Sequence, residues 1–417
     1  MSLGAGERLA HIGPPIEPQG MHRRPAGEAD SAGGRLARIL QKVGQMETKF
    51  GKWITGRGFP VFFFAILIAA VGYVGLRWGN ALEWGMQIHA YTVVFALLIL
   101  LLPVLIFLLS GNGDRFLGGC KRAAAYFACF LLYDVLAMAV LDLASLILRL
   151  DLVVRAWLIL AAAAFSALVV VYGSIHARQL QTVRYSVHLE KQHAPLRIVL
   201  LSDLHIGAFI NAAYLQRVVQ RIETLSPDLI VIAGDLFDGS LPDERKTDAC
   251  AAALSRMHAP LGVYAVIGNH DPDASDVRFQ RFLRDAGICL LYNEVACVAQ
   301  WNLAGRAGIV DMGELRVPLA ELLGKREARY PTVVLDHDPQ GIREAADCGA
   351  ELVLCGHTHK GQFFPMTILT RLANGKDYFY GSGFVQKTCF VISSGTGYFE
   401  LPIRIGTNSE IVVVDVA

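Results

Sequence analysis

Residues 198–205 read Ile-Val-Leu-Leu-Ser-Asp-Leu-His. Four apolar residues make a run of strand length, and the run stops on a carboxylate and an imidazole two positions apart. A strand with no polar position is covered on both faces, as in sheets flanked by other layers. The pattern returns four times. Leu229–Ala233 leads into Gly234-Asp235-Leu236-Phe237-Asp238, and Val263–Ile267 into Gly268-Asn269-His270-Asp271. Val333–Leu335 leads into Asp336-His337-Asp338, and Leu352–Leu354 into Gly356-His357-Thr358-His359. Helical stretches such as Ala212–Thr224 and Asp243–Met257 separate several of these runs, so the reading is an α/β layered domain. Upstream, Val183, Tyr185, Val187 and Leu189 alternate with Arg184, Ser186 and His188, the period of a half-buried strand. Phe390–Ser393 and Ile411–Val416 add strands toward the end, which predicts mixed sheets.

Open α/β sheets place their sites at the C-terminal ends of strands. Of the six histidines after residue 196, five (His205, His270, His337, His357, His359) stand in these strand-end clusters and only His258 does not. Ordinary core or surface histidines would not collect there, so the clusters read as a metal site. Imidazole, carboxylate and amide ligands without clustered thiolates suit Mn, Fe or Zn. More than four candidate ligands imply two divalent ions. Such a pair, about 3.5–4 Å apart across one bridging carboxylate, can hold a hydroxide in line with a phosphorus atom.

The ordered succession DxH, GDxxD, GNHD, LxHxP and GHTH resembles the calcineurin-like metallophosphoesterase family over roughly residues 180–417. Ser393-Ser394-Gly395-Thr396-Gly397 and Leu401-Pro402-Ile403-Arg404 are similar to the tail of a bacterial membrane-associated branch, which includes UDP-diacylglucosamine pyrophosphatase-type enzymes. The resemblance implies a four-layer α/β/β/α sandwich. It implies that Asp203, His205 and His359 bind one metal and that Asn269, His337 and His357 bind a second. Asp235 would bridge the two, and His270 would touch the phosphate or protonate the leaving group. Two positions depart from the pattern. Asp271 stands where many members have Glu, and a shorter carboxylate is still expected to orient His270. Lys360 stands where relatives often have Gly, and reads either as a cation near the metals or as a solvated loop residue. Asp238 and Asp311 are candidates for an outer shell or plain loop residues.

The other half of the chain has a different texture. Apolar residues make up 53% of the 417 and charged residues 18%, which points to membrane spans. Phe59–Leu76, Ile88–Ser110, Ala123–Leu148 and Ala156–Gly173 are each about long enough to cross a hydrocarbon core of roughly 30 Å. The domain reading is therefore a disordered basic tail over 1–50, with a short amphipathic helix possible from Arg35 to Phe50. Four transmembrane helices follow within 51–178, and the metallophosphoesterase domain occupies 179–417. Lys42, Lys49, Lys52, Arg57, Arg115, Lys121, Arg122, Arg178, Arg184 and Lys191 gather on one side of these spans. Only Arg77, Arg149 and Arg155 stand on the other, so both termini and the catalytic domain are expected in the cytoplasm, at the cell (inner) membrane. Asp134 and Asp142 sit eight residues apart on the third span, with no Lys or Arg inside the spans expected to meet them. The eight cysteines show no CxxC spacing and fit free thiols in a reducing compartment.

A net charge of +1 gives no field for a polyanion, so nucleic acid is not an expected partner. The expected partners are a phosphorylated small-molecule or lipid-linked substrate and membrane lipids. The expected activity is hydrolysis of a phosphate ester or pyrophosphate at the membrane surface. The alternatives are a membrane-anchored phosphodiesterase of soluble nucleotides and a non-catalytic receptor on the same fold; the second is disfavoured because no ligand position is missing.

Overall fold

The computed structural model of the chain describes residues 8–11, 58–86, 115–191, 193–308 and 316–417. The chain divides into two compact units, one holding Ala167–Ala417 with part of the chain up to Cys129, the other holding Phe130–Ser166 with the helix before it.

In the first unit Ile198–Leu201 lies within β3 (Leu196–Leu201), the middle strand of a seven-stranded sheet. Its order is β1 (Arg8–His11), β2 (Leu180–Val187), β13 (Ser409–Val416), β3, β4 (Leu229–Ala233), β5 (Val263–Val266) and β6 (Cys289–Leu290). From β3 to β6 the strands are parallel, whereas β13 runs antiparallel to β3. The second sheet has six strands in the order β11 (Gly381–Val385), β12 (Thr388–Ile392), β10 (Leu352–Cys355), β9 (Thr332–Leu335), β8 (Trp301–Gly305) and β7 (Glu294–Val298). Its inner strands are parallel and its two edge strands antiparallel. Both sheets are mixed, as the sequence predicts.

Alternate residues of each strand explain the missing polar positions. Ile198 and Leu200 of β3 pack with Val333 and Leu335 of β9 and Leu352 and Leu354 of β10, so the two sheets share one core. Val199 and Leu201 face the other way, toward α4 (Ala212–Glu223), α5 (Glu244–Leu254) and α6 (Val277–Asp285). On the far side Val334 and Val353 pack with α7 (Leu319–Leu323) and α8 (Ile342–Asp347). Helices, sheet, sheet and helices form four successive layers. The helix starts have local causes: Asn211, Asp243 and Asp276 each accept first-turn N–H groups on their side chains.

The other unit is helical. Phe59–Leu76 lies in α1 (Gly58–Met86), Ala123–Leu148 in α2 (Arg115–Leu148) and Ala156–Gly173 in α3 (Leu152–Ala177). Arg122–Leu148 and Leu152–Ala177 are long and apolar enough to cross a membrane, and only 22% of the apolar window of each is buried, unlike the core helix of a soluble domain. Ile88–Ser110 lies outside the described residues, as does most of 1–50. Within that tail, Arg8–His11 is an edge strand paired to β2. Asp134 is fully buried. Asp142 finds arginine partners flanking the spans: its carboxylate accepts from Tyr73 Oη at 2.6 Å and pairs with Arg77 Nη2 at 2.6 Å and Arg155 Nη2 at 2.7 Å. Arg155 stands in the first turn of α3 and Arg77 inside α1, each just beyond the apolar run read from the sequence.

Candidate metal centre

Parallel pairing brings the ends of β3, β4 and β5 to one edge of the first sheet, and the ends of β9 and β10 to one edge of the second. Backbone bonds then lock the turns beyond the strands. Asp203 N–H donates to Gly234 O and His205 N–H to Asp235 O, both at 3.0 Å, and Gly356 N–H donates to His337 O at 3.1 Å. Two further bonds join the sheets. The Asp203 carboxylate accepts His357 N–H at 3.1 Å, and His337 Nδ1 lies 2.7 Å from Ala233 O. A carbonyl only accepts, so Nδ1 of His337 carries hydrogen and its Nε2 faces the site.

The turns are tight enough to force unusual backbone. Asp203, His205, Asp235, His357 and His359 all have φ between 48° and 72°, the left-handed region that costs an L-residue of order 1–3 kcal/mol. Two glycines accommodate the carboxylates. A Cβ on Gly268 would fall on Asp235 Oδ1, and one on Gly356 would come within 2.5 Å of Asp203 Oδ2. Packed sites rarely hold five ligand-type residues at positive φ without a function for the strain.

The side chains form two groups that meet at one carboxylate. In the first, His205 Nε2 is 3.0 Å from His359 Nε2, and that nitrogen is 3.4 Å from Asp203 Oδ1. In the second, Asn269 Oδ1 is 3.1 Å from His337 Nε2 and 2.8 Å from His357 Nδ1. Asp235 Oδ2 lies between them, 3.7 Å from His205 Nε2 and 3.2 Å from His337 Nε2. The ligand atoms of Asp203, His205 and His359 all lie within 4.8 Å of one another, as do those of Asp203, Asp235 and His337. The seven expected ligands are therefore brought together. His270 stands beside them, its ring centroid 5.4 Å from that of His205 and 4.6 Å from that of Phe399. Its own N–H donates to Asp235 Oδ1 at 2.8 Å.

The electrostatics test whether cations fit. Burial drives the His205 imidazole down to about 3 and holds His359 well below its usual value, so both are neutral donors at pH 7. Burial pushes the Asp203 carboxyl up to about 6. Burial would also raise Asp235, but the facing His337 imidazole holds it far below the usual range. Burial should lower His337, yet the Asp235 and Asp203 charges lift it to about 10. Two buried carboxylates thus hold a proton on an imidazole that lies where a cation would. Neutral His205 and His359 beside two buried carboxylates, whose charge only that proton offsets, form a donor set that fits divalent metals.

Three departures from expectation are clear. Asp271 does not orient His270: its carboxylate accepts from Phe237 N–H and Gly268 N–H, both at 2.9 Å, and so ties the Asp235 turn to the Asn269 turn. The Lys360 ammonium sits 4.0 Å above the Tyr380 ring. Arg404 and Phe399 were assigned no role from the sequence, yet both belong to the site. The Arg404 guanidinium, fully buried, donates to His359 O at 3.1 Å and to the carbonyls of Gly395 and Gly397. Phe399 lies against the rings of His205, His270 and His359. The only sequence signal for either was their place in the tail segment 393–404. Asp238 Oδ1 lies 3.8 Å behind His205 Nδ1; Asp311 lies outside the described residues.

Mixed sheets whose strand ends carry a doubled Asp/His/Asn ligand set define a metallophosphoesterase. The profile of the calcineurin-like phosphoesterase family matches residues 196–361, and the chain belongs to the calcineurin-like metallophosphoesterase family. It is 34% identical over 266 residues to a transmembrane protein with metallophosphoesterase domain from Danio rerio, covering 59% of this chain and 60% of that one. It is 30% identical over 235 residues to an uncharacterized metallophosphoesterase of Helicobacter pylori strain J99, covering 54% and 60%. It is 31% identical over 192 residues to phosphodiesterase YaeI of Escherichia coli K12, covering 44% and 67%. The chain spans 60% and 58% of the length of the fish and cattle transmembrane relatives.

Proposed function

We propose that this chain is a membrane-anchored hydrolase of phosphate esters or pyrophosphates, acting through two divalent metals on a lipid-linked substrate at the membrane surface. The observation that carries it is Asp235 Oδ2, placed between two nitrogen-rich groups with His270 outside both. Asp203, His205 and His359 would hold one ion, Asn269, His337 and His357 the other, and Asp235 both. When bound, two such ions neutralise phosphoryl charge and lower the pKa of water. The protein's own groups do the rest. The backbone bonds across the sheets fix ligand positions before substrate arrives, and Phe399 walls one side of the His270 ring. His270, whose pKa burial lowers, is positioned to contact the phosphate and give a proton to the leaving oxygen.

The apolar helices supply the anchor. We read the membrane domain as four spans within 51–178, with both termini and the metal centre on the cytoplasmic side of the cell membrane. In support, the start of α2 and the end of α3 group with the phosphoesterase unit, and Arg115, Lys121, Arg122 and Arg178 cluster at those ends. The name of the Escherichia coli relative favours a phosphodiester among possible ester substrates. The test is turnover by the Mn-loaded full chain in lipid nanodiscs. Hydrolysis of lipid pyrophosphates or phospholipids in preference to nucleotides is expected. Nucleotide hydrolysis alone would favour a soluble-substrate phosphodiesterase, and none at all a receptor.

A further inference from the structure

Beyond the metal centre, one surface element is unlike the others. Outside α1–α3, the large apolar side chains exposed among the described residues are Val277, Phe364, and four in the helix α9 (Met366–Asn374): Met366, Ile368, Leu369 and Leu372. Ile368, Leu369 and Leu372 recur at the spacing of one helical face, and Leu372 is 75% exposed. The amphipathic helices α4 and α6 bury five and three residues respectively, whereas α9 buries none. Thr367, Thr370, Arg371, Ala373 and Asn374 occupy its other positions. A short helix with an exposed apolar stripe and a flanking arginine is suited to an interface between hydrocarbon and water.

The position of α9 commits the occupant. Phe364 N–H, just before α9, donates to Ile405 O at 3.0 Å, and Arg404 N–H donates to Gly173 O of α3 at 3.0 Å. Two adjacent residues, Arg404 and Ile405, therefore link the apolar α3 to the start of α9. A Cβ on Gly173 would touch Ile405 and Ile403, so the end of α3 lies flush against this segment. Near this end Leu168, Val171, Tyr172 and Ile175 of α3 are all exposed, the apolar surface that a bilayer covers in a spanning helix. The Phe364–Ile405 and Arg404–Gly173 bonds thus tie the start of α9 to the helix that carries this apolar surface. On its other side α9 abuts the metal centre: a Cβ on Gly361, two residues after His359, would strike Thr367 Cα and Met366 O.

We propose that α9 is a bilayer-docking helix, its Ile368–Leu369–Leu372 face immersed among lipid chains so that the turn bearing His359 opens at headgroup level. The inference rests on the membrane-anchored reading and deepens it, because it names the element that would present a lipid-linked phosphate to the metals. Mass action then favours substrates already in the bilayer over those in solution.

The test uses the full chain in vesicles of phosphatidylethanolamine and phosphatidylglycerol, with p-benzoylphenylalanine replacing Leu372. Illumination should give adducts to lipid acyl chains at a yield like that of the same probe at Ile175. Val277, exposed on α6, serves as the control that should give none. Adducts to another part of this chain, such as residues 12–57, or to a second protein, would overturn the proposal, as would a yield no higher than at Val277. A paired variant, Leu369→Asp with Leu372→Asp, separates docking from catalysis. Turnover of soluble bis-p-nitrophenyl phosphate should be unchanged, while turnover of phosphatidyl-p-nitrophenol in the vesicles falls about tenfold or more, the effect of losing the burial of even one leucine. Equal loss on both substrates would count against docking. If the unaltered chain forms lipid adducts at Leu372 yet hydrolyses only the soluble ester, docking stands and the lipid-substrate reading falls.

Discussion

Asp235 occupies a position that no neighbouring side chain can substitute. Its Oδ2 faces both imidazole groups, while Oδ1 receives the His270 N–H. Asp235→Ala should therefore abolish binding of both metals together, read as the metal content of the purified chain; retention of one ion would remove the bridge. His270 lies outside both groups, so His270→Ala should keep two metals while turnover falls roughly 10²–10⁴-fold, the usual contribution of an acid–base group. Loss of a metal in that variant would make His270 a ligand. Both outcomes depend on turns that hold five ligand-type residues at positive φ. This strain persists because bonds such as Asp203 to His357 N–H close the turns from the opposite sheet.

At the scale of elements, β13 brings a further buried carboxylate into the core behind the site. Glu410 is fully buried, accepts from Ser394 N–H at 2.8 Å and from Tyr380 Oη at 2.9 Å, and stands one strand away from the site. Burial raises its pKa above that of an exposed glutamate. The folded chain therefore holds this proton where the unfolded chain has released it. The resulting stability is complete below the ordinary glutamate value of about 4.3 and is lost as pH rises through the higher folded value. Glu410→Gln removes that loss. The melting temperature of the variant relative to the parent should rise between pH 4 and pH 8, measured in detergent with metals chelated. A flat difference would show that the carboxylate stays charged in the fold. The element also explains why Arg404 tolerates full burial: its charge is met by three carbonyls and the nearby carboxylates rather than by water.

For the molecule as a whole the open variable is sidedness. A reporter fused after Arg178 should fluoresce if it depends on the cytoplasm and should show no alkaline phosphatase activity. The opposite result would place the metal centre outside and imply an odd number of crossings. The pairing of Asp142 with Arg77 and Arg155 bears on this count, because it satisfies an acid that would otherwise hinder insertion of α2.

The candidate metal centre was legible because its signal is local. An apolar run buried on both faces must end in a polar turn, and His205, His270, His337, His357 and His359 stand at such ends. Family order then assigned four of them to two groups, and His270 to neither, without any knowledge of distance. The layers followed from the same runs, since strands without a polar face require cover on both sides. What the sequence left open depends on partners far apart in the chain. Asp203 and His357 meet across 154 positions, and Asp271 bonds to the Phe237 turn instead of to its neighbour His270. Arg404 sits behind His359 only because the segment after Gly397 folds back under it. The exposed face of α9 has a helical period like any core helix, and periodicity reports that a face is apolar without saying what covers it. Only the packing decides that, and here it leaves the face open.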